Sequence, residues 1–454
     1  MQGWVMEEVK NQVMGDTRLN KRLSNILSSL SSDPKNSIPC ANKTWAETFA
    51  AYRFIENDKV NFDSIMSGHK SATLERIKAQ PVVLIPQDTT FLNFATDLES
   101  KEMGTLRRKE TNQQLLHTSI AITPSRVNLG VVEGSMWQRD KESSSNSRYT
   151  KSIKNKESRR WLDHYETACQ IQERCPESTI VSIADREGDI HEWFQLAEDQ
   201  SEQRRASYIV RAKANRTLEL DGEETVLLWD HMNEQKSVGL YTVDIPKRNG
   251  ESGRKAKVSV STTEIRLLGK GKSKRPLSLY AVLAKELNPP EGEKGIEWML
   301  LTDLPVEDFK QARVIIEWYR SRWEIETYFR VVKGGCQIES NRFRTEQRML
   351  NCIAIYMIIG WRLHSITTHA RRVPDAPCTS AYSEKEWRMI WMMRDKTTPP
   401  NEPPSMREIT RMLAGLGGFL GRKGDGEPGV KTVWQGYTKL LHYIEAAETL
   451  SGLK

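Results

Sequence analysis

Most of the features that mark a specialised class are missing from this chain. Its 454 residues hold only six cysteines, Cys40, Cys169, Cys175, Cys336, Cys352 and Cys378. None forms a CxxC pair and no histidine stands at zinc-ligand spacing, so a zinc site and a disulfide framework are both excluded and free thiols are expected. No apolar run approaches the roughly 20 residues of a membrane span, so no membrane partner is expected. Met1 to Arg22 mixes acidic, basic and polar residues without an apolar stretch, so no secretory signal is read there and a cytoplasmic location is expected. Internal repeats and long low-complexity tracts are also lacking.

What remains is a wet-surfaced globular chain, 38% hydrophobic and 28% charged, long enough for two or three domains. Lys and Arg number 67 against 60 Asp and Glu, and the resulting charge of +7 favours a polyanionic partner. Over the first 70 or so residues, Arg18, Leu19, Arg22, Leu23, Ile26 and Leu27 have helical spacing. The pattern breaks at the proline within Ser37 to Ala41 and resumes over Trp45 to Ile55. Two amphipathic helices rich in arginine suit a small DNA-binding module or a helical cap.

From Pro81 the character changes. The run Val82 to Ile85, then Leu115 to Ile122 and Asn128 to Val132, read as strands. A helix over Asn155 to Arg174, a strand at Ser178 to Ala184, a helix at His191 to Leu196 and a strand at Tyr208 to Val210 complete an α/β layer. Between about Ala214 and Asp303, alternating segments at Leu240 to Ile245, Lys257 to Thr262 and Leu277 to Leu283 suggest an inserted β region. A long helix is expected from about Val306 to Lys333 and another from Leu350 to His369. The prolines of Pro374 to Pro377 and Pro399 to Pro404 mark a boundary before a last helical segment.

Asp88 and Asp185 each follow an apolar strand directly, where α/β proteins place ligands, although an aspartate there also starts turns. On the expected long helix, Tyr319, Arg322, Glu326 and Lys333 fall within an arc of about 60°, beside an apolar arc of Val314, Trp318, Ile325, Phe329 and Val332. Glu317 and Glu324 point away, so Glu324 should be solvated. Either Glu326 is a salt-bridged surface acid, or it joins the two aspartates as an oxygen donor set suited to Mg²⁺, with the cations holding phosphate. The stretches Arg107-Arg108-Lys109, Lys151 to Arg160, Arg254 to Lys257 and Lys270 to Arg275 read as solvated loops or helix faces, or as tracks for phosphates.

Tyr319-x2-Arg322-x3-Glu326-x6-Lys333 resembles the Y-R-E-K signature of the bacterial cut-and-paste DDE transposases of the insertion-sequence-four family. Asp185-Arg186-Glu187-Gly188-Asp189 is similar to that family's DRExD segment, and Asp88-Thr89-Thr90 to its first-aspartate segment. Gly15-Asp16-x-Arg18, Ala51-Tyr52-Arg53-Phe54, Asn288-Pro289-Pro290 and Leu416-Gly417-Gly418-Phe419 extend the resemblance over most of the chain.

The resemblance implies an α/β fold: a ribonuclease-H-like catalytic core over residues 71–372 with a β-rich insertion at about 214–303. A helical N-terminal DNA-binding domain over 1–70 and a helical C-terminal dimerisation domain over 373–454 would flank it. It implies Asp88, Asp185 and Glu326 as a catalytic triad holding two Mg²⁺ ions, with Mn²⁺ as a substitute. Tyr319, Arg322 and Lys333 would grip a 5′ phosphate, Arg211 and Lys213 would contact DNA, and Trp298 would stack a flipped base; the bland alternative for Trp298, flanked by Ile296, Met299 and Leu300, is a strand core residue. The implied partners are double-stranded transposon ends, target DNA and a second copy of the chain in a synaptic dimer, in a bacterial nucleoid setting. The Tyr437 to Ala447 helix would supply dimer contacts or simply pack in a core. The implied reaction is nicking, hairpin formation, hairpin opening and strand transfer. A nuclease that does not join strands and an inactive, regulatory end-binding protein are the alternatives, and Glu324, acidic beside Arg322, departs from the family pattern.

Overall fold

A computed structural model describes residues 3–452 except 33, 35–37, 43, 96–110, 139–155, 201–203, 221–223, 246–253, 270–274, 294 and 344. The helices are α1 (Gly3–Val9), α2 (Thr17–Ser32), α3 (Ile38–Ala41), α4 (Trp45–Ile55), α5 (Phe62–Lys78), α6 (Arg159–Arg174), α7 (His191–Asp199), α8 (Leu228–Glu234), α9 (Phe309–Ser321), α10 (Trp323–Arg330), α11 (Glu346–Arg372), α12 (Glu384–Asp395), α13 (Met406–Leu416) and α14 (Val430–Gly452). The strands are β1 (Val82–Ala95), β2 (Thr111–Ile122), β3 (Asn128–Trp137), β4 (Thr179–Ala184), β5 (Ser207–Arg211), β6 (Thr217–Glu219), β7 (Thr225–Leu227), β8 (Gly239–Ile245), β9 (Arg254–Leu267), β10 (Leu277–Glu286) and β11 (Glu297–Thr302). Two compact units result, one of Met1–Ala79, Thr89–Ser143 and Glu324–Lys454, the other of Gln80–Asp88 and Ser144–Trp323.

In the second unit the start of β1 lies parallel to β4, and β4 parallel to β5. β5 pairs antiparallel with β11, and β10, β9 and β6 follow in antiparallel steps, with β8 on β9. Central parallel strands are covered on both faces and therefore read as unbroken apolar runs, as Val83, Leu84, Ile85 and Ile180, Val181, Ile183 do. Each such side chain contributes about 1.5–3 kcal/mol by leaving water. Trp161, Tyr165 and Ala168 of α6 are buried at one helical face, and α6 packs on β4. This mixed α/β arrangement with a mixed sheet is consistent with a ribonuclease-H-like core.

In the first unit β2 and β3 pair antiparallel, and α5 and α11 pack on β3. Close approach of α5 requires glycine at Gly130, where a Cβ would stand 1.9 Å from Thr73 Oγ1. The α4 helix starts at a capping box formed by Thr44 and Glu47. The 27-residue α11 is long and apolar enough by composition to cross a membrane, which differs from the expectation of no such run, yet 94% of its apolar window is buried in the protein. Its Asn351 amide donates to the Ile55 and Val60 carbonyls, and its His364 Nδ1 contacts Asn128 at 2.8 Å. Polar partners at these points mark a core helix of a folded protein.

An ionic cluster around a buried carboxylate ties α1 to α5 in the same unit. Glu8 is 2% exposed and its carboxylate takes His69 Nδ1 at 2.5 Å and Arg76 at 2.8 Å. His69 Nε2 accepts the Val131 amide at 2.9 Å, which fixes the neutral tautomer with the proton on Nδ1 facing Glu8. Burial pushes the His69 imidazolium down against the pull of Glu8, and Arg76 and Lys70 add to the fall. Burial alone would raise the Glu8 carboxyl; His69 and Arg76 outweigh it and hold it low.

Two expectations are corrected by the backbone. The β1 strand continues past its apolar run to Ala95 because Leu92 and Phe94 alternate with exposed Phe91, extending the period of two. The single helix from about Val306 to Lys333 is instead α9, a break at Arg322, α10, and a π turn over Val331–Gly335. The Ser321 hydroxyl donates to the Glu317 carbonyl at 3.0 Å, a bond that competes with the helix ladder and bends helices. On α9 the buried stripe is Ala312, Ile315, Ile316 and Tyr319, while Val314 is exposed, so the apolar arc of a straight helix does not hold.

Candidate active site

Asp88 and Asp185 lie two residues beyond the register partners Pro86 and Ile183. They therefore stand at one level on adjacent parallel strands about 4.8 Å apart, but only Asp185 lies beyond a strand end; Asp88, expected to follow its strand, lies within β1, which runs on to Ala95. Between them, buried Gln87 donates its amide to Ser182 Oγ at 3.1 Å and pins that register. The expected neighbouring strands are thus present.

The turn after β4 separates two acids of one motif. Asp185, half-buried, accepts the Glu187 amide at 2.8 Å and caps the turn Arg186–Gly188. Gly188 lets that turn fold back, since a Cβ there would meet Ala184 Cβ at 2.5 Å. Asp189 is closed off, its side chain fully buried against Arg216 at 2.5 Å and against the amides of Lys213 and Ala214 at 2.7 Å. The second acid is a brace for the chain after β5; the first stays reachable.

The break after α9 delivers Arg322 to Asp88. Its Nη1 donates to Asp88 Oδ2 at 2.7 Å, with the two side chains 11% and 19% exposed. Nothing in the residue spacing had paired them, because the strand and the helix are far apart in sequence. Tyr319, expected on a cationic face, is buried on α9, with its ring 6.1 Å from that of Trp298. Trp298 itself is half-buried at the start of β11. Arg211 donates to the Glu297 carbonyl at 3.0 Å, and its Nε is buried without a hydrogen-bond partner among the described residues. Lys213 is exposed after β5.

Glu326, Arg330 and Lys333 belong to the first unit, on α10 and the π turn. Glu326 is half-buried and Arg330 exposed. Burial lowers the Lys333 ammonium, opposed by Glu339. Glu324 overturns an expectation: it is not solvated but 13% exposed at its side chain, 3.5 Å from His364 and 3.3 Å from Arg372. Burial would raise its carboxyl, and His364, Arg372 and Arg126 hold it below the ordinary range. The projection assumed one straight helix, whereas α9 ends at Ser321 and Glu324 belongs to a separate helix, α10.

Among the described residues no three His, Cys, Asp or Glu side chains form a group that could hold a metal ion. The donor chemistry at Asp88 within β1 and Asp185 just after β4 nevertheless fits a hard cation: two carboxylates at one level, one of them already facing a positive group. Five cysteines, Cys169, Cys175, Cys336, Cys352 and Cys378, are buried free thiols. Of the basic stretches, Arg107-Arg108-Lys109 and nearly all of Lys270 to Arg275 lie outside the described residues, as does Lys151 to Asn155. Arg159 and Arg160 are paired with Asp163, Glu166 and Glu187. Arg254 to Lys257 is the start of β9 and not a loop, and Arg254 pairs with Glu286 and Glu293. In α14, Tyr437, Leu440 and Leu441 are buried, and the Tyr437 hydroxyl donates to Glu386 at 2.7 Å.

Three family models match this chain. Residues 1–60 match a transposase DNA-binding domain, residues 166–359 a transposase DDE domain and residues 358–452 the Tn5 transposase dimerisation domain. Among solved structures, the cryo-EM structure of the piggyBac transposase synaptic complex with hairpin DNA aligns at 7% identity and a TM-score of 0.36, over 82% of this chain and 72% of that one. That likeness is too low to define a shared fold. DNA-binding, DDE and dimerisation matches stand in one order along one chain, and the chain belongs to the Tn5-like DDE transposases.

Proposed function

We propose that this transposase excises and inserts DNA by hairpin-forming cut-and-paste chemistry at Asp88, Asp185 and Glu326. The observation that carries the reading is the pair of aspartates at one level on β1 and β4. DDE domains generally use divalent metal ions, and here Asp88, Asp185 and Glu326 would hold two Mg²⁺ ions, with Mn²⁺ able to replace them. When bound, such ions supply nucleophile activation and neutralise charge on the leaving oxygen.

The chain's own residues do the positioning. Arg322 and Lys333 offer charged donors to a 5′ phosphate, and Arg binds a phosphate through two parallel N–H bonds. Tyr319 adds a hydroxyl, and its ring supports Trp298 from the side. A base flipped out for hairpin formation would stack on Trp298 and recover part of the few kcal/mol lost on unstacking. Arg211 and Lys213 would follow the DNA backbone beyond β5. Transposon ends, target DNA and a second copy of the chain are the partners, with α14 contributing to the dimer.

The test is cleavage of a linear duplex carrying the terminal repeats of the element that encodes the chain, in Mg²⁺ or EDTA, with native protein and Asp185→Ala. Hairpin-ended product from native protein in Mg²⁺ alone supports the reading. Nicks without hairpins would replace it with a non-joining nuclease, and bound but uncut DNA with a regulatory end-binding protein.

A further inference from the structure

Asp88 is held by a guanidinium. Arg322 Nη1 lies 2.7 Å from Asp88 Oδ2, with 11% and 19% of the two side chains exposed. A strand and a helix end meet there: Asp88 lies within β1 just after its continuous apolar run, and Arg322 is the C-cap of α9, its amide bonded back to Tyr319 at 3.0 Å. Asp185 stands at the same level on the next strand, and its carboxylate is engaged at 2.8 Å with an uncharged donor, the Glu187 amide. Arg322 thus brings a positive charge to the site on the side of Asp88.

We infer that Arg322 is a latch that keeps divalent metal off Asp88 until DNA arrives. The inference rests on the proposed role of Asp88 and Asp185 as metal ligands. A dication and a guanidinium on one carboxylate repel each other, so metal must displace Arg322 or bind weakly beside it. A DNA phosphate is a competing ligand for the same guanidinium, with matching fork geometry. When a phosphate takes Arg322, Asp88 is released, and metal and DNA then bind cooperatively. The exchange strands neither charge, because the metal replaces Arg322 on Asp88 and the phosphate replaces Asp88 on Arg322. Linkage makes the coupling reciprocal: DNA raises metal affinity by the factor by which metal raises affinity for the end. The result is a chain that does not load metal, and so does not nick, before an end is in place. Arg322 acts here through Asp88, as a positioning residue.

The test is Mn²⁺ binding followed by electron paramagnetic resonance of the free ion, on the full chain without DNA. Arg322→Gln should bind Mn²⁺ about tenfold or more tighter than the native chain, within the usual range of coupling between two sites. Adding Asp88→Asn to Arg322→Gln should abolish the gain. A measurement that needs no Arg322 variant accompanies it: the terminal-repeat duplex should raise Mn²⁺ affinity of the native chain by a similar factor, after subtraction of the same titration with Asp185→Asn. If the free native chain binds Mn²⁺ as tightly as Arg322→Gln and DNA adds nothing, the latch is overturned while the metal site stands. If Asp185→Asn leaves Mn²⁺ binding unchanged with and without DNA, the metal-site reading itself falls.

Discussion

Two carboxylate–arginine contacts, one in each unit, differ in how far water reaches the acid: the Glu8 side chain is 1% exposed and that of Asp88 19%. Glu8 in the first unit is 2% exposed and meets both His69 and Arg76. Asp88 in the second keeps 19% of its side chain exposed beside Arg322. Breaking the cluster around Glu8 leaves a charge without solvent, whereas a part-exposed pair can trade partners at small cost. The same contrast recurs inside one motif, where Asp185 is reachable and Asp189 is closed off by Arg216. Sealed acids hold the fold and reachable ones are available for chemistry.

The sharpest way to break this contrast is Asp185→Ala, which should lower end cleavage roughly a thousandfold or more while the chain stays folded. Its structural cost is the loss of one turn cap, about 1 kcal/mol, so a large drop in thermal midpoint would instead make Asp185 a structural acid. Glu8→Ala should do the reverse, removing about 3–5 kcal/mol of stability in urea titrations with little change in cleavage by the protein that remains folded. Asp189→Ala should resemble Glu8→Ala; if it spared stability and removed cleavage, the division of roles within the motif would be wrong.

A pH series sharpens the comparison further. His69 is held neutral by burial, so the unfolded chain takes up its proton more readily. Stability from this site is complete above about pH 6.5 and declines as pH falls, by up to about 1.4 kcal/mol per pH unit. The low Glu8 carboxyl acts in the same direction at more acidic pH. Urea midpoints should therefore be lower at pH 5.5 than at pH 7.5, and equal midpoints would show that His69 is not sealed. The smallest effect is expected for Glu324→Gln, about 1 kcal/mol through its contacts with His364 and Arg372, read as a slight shift in midpoint.

How legible the sequence was depended on the range of the interaction. The Trp45–Ile55 helix is determined within its own residues by spacing and a capping box, and the expected bounds are those observed. Asp88 and Asp185 could be singled out because each ends an apolar run, and parallel pairing of those runs then aligns them. The contact of Asp88 with Arg322 was invisible, since it joins a strand and a helix end 234 residues apart along the chain. Glu324 was misplaced because the residue pattern drew one straight helix where the chain has α9, a break at Arg322 and α10. The sealed Asp189–Arg216 brace left no local signal beyond its place in the motif.

The apolar α11 also bears on how the chain is made. While emerging during synthesis, a helix of this length and composition offers targeting machinery a segment resembling a membrane anchor. Two of its packing partners, α5 and β3, lie upstream and have already been synthesised, whereas α13 and α14 come later. Two of the surfaces that cover α11 are therefore in place when it emerges, and docking on α5 and β3 can begin before α13 and α14 are made.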